Sequence, residues 1–318
     1  MSDTSQRQIT LQQSLWKTLI NSCSIYASTP FKFVVDGSPY HIHAGLVSHL
    51  SRPLDRMING PMAEAQKGYA VLEDVDKGTF ERFLEWGYKG YYKAADFAIE
   101  AISPPPVPRK KKKRESTTVI GGEVHSVTTA PELHDDVELA GRGELRSDWD
   151  KWLGNPKMKK GKDAEATKKT TQELKKSFLR RKYTVRRDAI GIPPARANRG
   201  ELENYTEVFL SHARLYVFAE KYDIQALRTL ALEELHHILT LYTLYRCRTG
   251  DIIALLRYVY ANTRMPEAGD EELRILMRDY MGHEMSVLMQ DEEFKDLMIE
   301  DEGALLGNFM EMVALRIN

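Results

Sequence analysis

The sequence is poor in cysteine, in proline and in long apolar runs. Its 318 residues include 2 cysteines. These are Cys23 and Cys247, far apart in segments that read as helices, so neither a disulfide framework nor a cysteine-type zinc site is available and a reducing compartment is expected. No apolar run approaches the roughly 18 residues that a bilayer span needs. The opening stretch MSDTSQRQIT lacks the basic and apolar regions of a secretory signal. The expectation is a soluble intracellular chain in the nucleus, the cytoplasm or both, with no membrane partner. Only 13 prolines alongside 42% hydrophobic residues leave enough material for a real core.

Charge is present in both signs but unevenly placed. The net charge of −1 hides a segregation, because residues 94–202 hold 24 Lys and Arg against 16 Asp and Glu, while the remainder holds 21 against 30. The basic excess belongs to one internal stretch.

Residues 9–26 place Ile9, Leu15, Trp16, Leu19, Ile20, Cys23 and Tyr26 at the three- and four-residue spacings of an amphipathic helix. A stripe this apolar will not stay in water, so Trp16, Leu19 and Ile20 are expected at an interface, against the chain's own sheet or in a dimer. Phe31 to Val35 reads as a strand, Asp36-Gly37 is a strong hairpin signal, and Tyr40 to Ile42 is the returning strand. Leu46, Val47, Leu50 and Leu54 predict one helix over 43–54, and Tyr69 to Leu72 a short buried strand. Phe80, Phe83, Leu84 and Tyr88 then share a helix face that ends near Gly87 and Gly90. Strands and helices mix without regular alternation, so the class is α+β.

After Ala98 the character changes to Pro104-Pro105-Pro106, the run Arg109-Lys110-Lys111-Lys112-Lys113-Arg114 and a stretch rich in Gly, Glu and Thr. Few apolar residues remain to offset the entropy of ordering, so 99–203 is expected to be mostly disordered and dispensable for folding. One exception is 163–183, where Ala166, Leu174, Phe178 and Leu179 can line a helix that would be marginal alone. Two helices follow from Thr206, divided near Lys221-Tyr222-Asp223, and further stripes lie over 252–260, 271–289 and 309–315. No internal repeat occurs.

Candidates for chemistry are few. His41 with His43, and His236 with His237, are pairs without a third ligand at metal spacing. Ser211 beside His212 invites a nucleophile reading, but no Gly-x-Ser-x-Gly elbow, phosphate loop or His-Glu-x-x-His motif is present. No enzymatic activity, cofactor or metal is expected. The basic runs lack the interleaved aromatics that base recognition needs, which disfavours nucleic acid as a partner. The run Arg109 to Arg114, a compact cluster, is the candidate for nuclear import; the bland alternative is a solvated charge run.

Taken in order, the hairpin Phe33-Val34-Val35-Asp36-Gly37, His43 opening a helix, Ser51 with Leu54, and the signature Phe80-x-x-Phe83-Leu84-Glu85-Trp86-Gly87-Tyr88-Lys89-Gly90-x-Tyr92 form a pattern. It resembles the first half of a BTB/POZ domain. Phe209 to Leu239, around His212-Ala213-x-Leu215-Tyr216-Val217-Phe218-Ala219-Glu220-Lys221-Tyr222-Asp223-Ile224, is similar to that domain's final helical hairpin. Asp251 to Tyr260 and the helices after it are similar to the tail of fungal members.

The resemblance implies a BTB fold at 9–98 and 204–242, split by the insert 99–203 and followed by an all-α region at 247–318. It implies a non-catalytic protein-interaction module. In cullin-binding members a hydrophobic residue, any residue and then Glu form a docking loop, and here these are Met62-Ala63-Glu64. Two alternatives follow: a substrate adaptor of a cullin-type ubiquitin ligase, or a nuclear regulator associated with nucleic acid through the insert. Met62 is expected either on that loop or packed under the strand at 69–72. Dimerising members carry an Asp before the first strand and a basic residue after the His. This chain has Pro30 and Ala44 there, so a homodimer of that kind lacks its charged pair.

Overall fold

A computed structural model describes residues 25, 27–100, 162–183, 195–264 and 271–300. The helix expected over 9–26, the run at 109–114 and the stripe at 309–315 lie outside these residues, save Ile25.

Strand β1 (Pro30–Val35) buries Phe31, Phe33 and Val35 at period two. It returns through Asp36 and Gly37, whose φ values of +47° and +72° are those a two-residue hairpin turn requires. Strand β2 (Ser38–His43) pairs with it antiparallel. The tip is tied down by Asp36 Oδ2, which accepts from the Lys77 amide at 2.8 Å.

The single helix expected over 43–54 is two, α1 (Ala44–Leu50) and α2 (Arg52–Asn59). Proline within a continuing helix would clash with the carbonyl four residues back. With Pro53 in place the chain resets instead at Ser51, extended at φ −145°, and Ser51 Oγ caps α2 by accepting from the Leu54 amide at 3.1 Å.

A short helix, α3 (Ala63–Lys67), then leads through Gly68 at φ +74° into β3 (Tyr69–Leu72). β3 pairs parallel with β1, giving the order β2-β1-β3. The short strand expected at 69–72 is present but lies at the edge and is buried on one face only, with Ala70 and Leu72 buried and Tyr69 and Val71 facing out. Helix α4 (Lys77–Lys89) is capped by Asp76, which accepts from Thr79, and stops at Gly90 with φ +80°. It buries Phe80, Phe83 and Trp86, while Tyr88 is exposed.

The sheet and α4 are closed by a distant part of the chain. Helices α6 (Thr206–Lys221) and α7 (Gln225–Leu241) form an adjacent pair joined through Asp223 at φ +52°. Phe218 of α6 meets Phe83 and Phe80 with ring centroids 5.0 and 6.5 Å apart. Ser51 Oγ donates to the Tyr222 carbonyl at 2.6 Å, a buried bond. Lys221 forms an ion pair with Asp74.

Within 99–203 the described residues hold regular elements, among them the helix allowed for at 163–183. Strand β4 (Ala98–Ile99) pairs antiparallel with β5 (Glu203–Asn204), and Arg248 locks both flanks by donating to Glu100 Oε2 at 2.8 Å and to the Glu201 carbonyl at 2.6 Å. Helix α5 (Lys162–Leu179) packs against the C-terminal helices through Phe178, which is 1% exposed. A helix marginal by itself is thus held by one aromatic anchor and by Arg181, paired with Asp279 at 3.0 Å.

Helices α8 (Thr249–Asn262), α9 (Glu272–Leu288) and α10 (Glu292–Glu300) complete the described chain. Within the helical region expected at 247–318, α10 follows no stripe read from the sequence, and it buries Phe294, Leu297 and Met298. The carbonyl end of α8 is capped by buried Arg274 of α9, which donates to the Tyr260 carbonyl at 3.0 Å and to Thr263 Oγ1 at 2.7 Å. One cluster of buried apolar side chains runs from Ile25 through β1, α4 and α6 to Met298, so the C-terminal helices share the core of the sheet-bearing part.

Dispensability therefore shrinks to a narrower segment. Replacing residues 101–161 by a flexible linker should leave the urea-unfolding midpoint unchanged. Removing 99–203 strips out Phe178 and the carboxylate partner of Arg248, and should lower stability by roughly 3–5 kcal/mol or more. Equal midpoints for the two deletions would show that α5 and the β4–β5 flank contribute nothing.

Candidate interaction surface

Most of the polar side chains that looked reactive are tied into the fold. His43 Nδ1 lies 2.9 Å from the Tyr88 hydroxyl, and the His43 amide donates to the same oxygen at 3.3 Å. His41, two residues before it, faces solvent. Among the described residues no group of three His, Cys, Asp or Glu is placed to hold a metal ion.

Ser211 and His212, neighbours in sequence, serve different partners. Ser211 Oγ donates to the Val208 carbonyl at 2.7 Å and accepts from the Ala95 amide at 3.1 Å. His212 Nδ1 sits 2.6 Å from the Tyr92 hydroxyl, in the core. The two side chains strap residues 92–95 onto α6. The same strap floors a shallow cavity of about 230 Å³, whose rim includes Arg196 stacked 4.2 Å over Phe97. Asp251 is also engaged, accepting at Oδ2 from the Tyr205 amide at 2.9 Å and the Tyr242 hydroxyl at 3.0 Å, and at Oδ1 from Thr206 at 3.0 Å.

Of His236 and His237, the first turns into the core. His236 Nε2 lies 2.8 Å from the Phe178 carbonyl, and its ring meets Phe178 edge-on at 4.6 Å. Tyr280 and His283 flank the same phenyl ring at 5.7 and 4.9 Å. This role was not legible in the sequence, because anchor and socket are some 60 to 100 positions apart.

Several large apolar side chains stay exposed. Met62 caps the start of α3 and is 47% exposed, with Glu64 half-buried in the first turn, so the expected loop is the start of a helix and Met62 does not pack under β3. Val71 and Tyr69 on β3 are 52% and 36% exposed, and Lys32 Nζ lies 4.7 Å over the Tyr69 ring. Tyr69 and Val71 were missed because four apolar residues in a row do not tell an edge strand from a central one. Trp16, Leu19, Ile20 and Arg109 to Arg114 lie outside the described residues.

No family model matches this chain, and no curated protein matches it. Among the described residues no helix is long and apolar enough to cross a membrane. The reading of the surface therefore rests on its own geometry.

The His236 socket makes a pH dependence explicit. Burial, helped by the charges of Arg181 and His237 and opposed by the bond to the Phe178 carbonyl, pushes its imidazole down from 6.5 to about 4. The folded state binds this proton less tightly than the unfolded chain. Its stability contribution is thus complete above pH 6.5 and is lost as pH falls toward 4, on the order of 2–3 kcal/mol. Thermal unfolding at pH 7 and pH 4.5 should show a steeper loss in the native chain than in His236→Gln, which keeps a donor toward Phe178 but does not titrate. Identical losses would contradict the assignment.

Proposed function

We propose that the chain is a non-catalytic protein-interaction module of the BTB/POZ type. Support comes from the order of elements: a hairpin, two short helices divided at a capping serine, an edge strand, an aromatic helix, and a helical pair closing over them. The observation that carries the reading is one of contrast. Ser51, Ser211, His212, His236 and Asp251 are all spent on bonds within the fold, whereas Met62, Tyr69 and Val71 are left in water on α3 and β3. Large apolar side chains left exposed within one short stretch of the chain point to contact with another protein.

A second reading, that of a substrate adaptor for a cullin-type ubiquitin ligase, is favoured by Met62 in particular. It offers an exposed apolar anchor with Glu64 two residues on, and apolar anchors carry most of an interface's energy while flanking charges tune encounter. Binding of purified cullin scaffold separates the two readings. The adaptor reading expects Met62→Ala to weaken retention by roughly thirtyfold, Glu64→Ala by less, and neither to move the thermal midpoint. A native chain that retains no cullin removes the adaptor reading alone. The broader module reading fails if the triple variant Met62→Ala, Tyr69→Ser, Val71→Ser keeps every protein partner that the native chain retains.

A further inference from the structure

Among the described residues the outer edge of β3 is unpaired. β3 closes one side of the order β2-β1-β3, and among the described residues nothing hydrogen-bonds to its free edge. The opposite edge, β2, carries Pro39, which cannot donate to a further strand. β3 has neither proline nor lysine within it, and its outward side chains are an aromatic and a β-branched residue, the types that pair best across strands. Such an edge is a template for another strand.

The residues around it limit which strand fits. Lys67-Gly68-Tyr69-Ala70-Val71-Leu72-Glu73 is apolar in the middle and charged only at its ends, with opposite signs. Lys67 and Glu73 are both exposed, and neither has an ion-pair partner among the described residues. The segment is therefore complementary to itself in one direction only. Parallel pairing would set Lys67 against Lys67 and Glu73 against Glu73. Antiparallel pairing about Ala70 sets Tyr69 against Val71 twice and brings the Lys67 end of each copy to the Glu73 end of the other.

We propose that the β3 edge is a self-association surface, pairing antiparallel about Ala70 with the β3 edge of a second copy of this chain. The contact is isologous, so every favourable pair occurs twice. Whichever alternate residues of β3 turn their amides and carbonyls outward, this register lets them bond, because each residue faces one of the same parity. The strand is short and the area small, which makes the dimer weak and dependent on concentration. The surface shares Tyr69 and Val71 with the proposed module function, but its test is independent of that reading because it needs no other protein.

Sedimentation of the purified full chain over a concentration series tests it. The native chain should move from monomer to dimer at micromolar concentrations. Val71→Lys should stay monomeric across the same range. Lys67→Glu, which turns two attractions into two repulsions, should weaken the dimer by roughly tenfold, and Lys67→Glu with Glu73→Lys should restore it to within about twofold. All three positions are exposed, so an unchanged thermal midpoint certifies each fold, and the charge pair carries the test if Val71→Lys misfolds. A native chain that is monomeric throughout, a dimer that survives Val71→Lys, or a charge reversal without effect or without rescue overturns the proposal.

Discussion

The contact between the α6–α7 pair and the sheet-bearing segment is the constraint on which the rest of the structure depends. β1 and α4 present Phe33, Phe80 and Phe83, which they cannot cover by themselves, and the cover is Phe218 from a helix more than a hundred residues further on. Aromatic burial of this kind stabilises by a few kcal/mol per side chain. The cost of closing the chain between the two parts grows only with the logarithm of its length, about 0.6 kcal/mol per doubling. A long intervening segment is tolerable on those terms.

Apolar contact alone would leave the two parts free to slide. Their register is fixed by polar bonds, each joining elements remote in sequence: Ser51 to the Tyr222 carbonyl, Tyr92 to His212, Ser211 to the Ala95 amide. Leaving any one partner unsatisfied costs about 1–3 kcal/mol, so a slipped packing is penalised at several places together. The same bonds absorb the histidines and serines that would otherwise invite a catalytic reading. Arg248 does the corresponding work at the mouth of the long segment, holding Glu100 and Glu201 side by side whatever lies between them.

Much of this was legible in the sequence. The β1 hairpin declared itself through alternation and Asp36-Gly37, and α6, α7, α8 and α9 through long periodic stripes. The break at Ser51 was hidden because Leu46, Leu50 and Leu54 keep helical spacing across it, and only Pro53 argued otherwise. α10 was missed because Phe294, Leu297 and Met298 stand among acidic residues. α5 was underrated because its stability comes from a socket on α7 and α9, which no local pattern reports. At the candidate surface, the residue types were visible but not their exposure: that Met62 faces water and Tyr69 and Val71 line an edge follows from which strands pair, a property of the whole fold.

The central claim is that two parts of the chain, remote in sequence, fold as one body without needing the link between them. A specific protease site introduced within residues 101–161 allows the backbone to be cut in the folded protein. The account predicts that both fragments elute together from a sizing column in native buffer and unfold in urea in one transition. Fragments that separate in native buffer, or that unfold at two distinct midpoints, would contradict it.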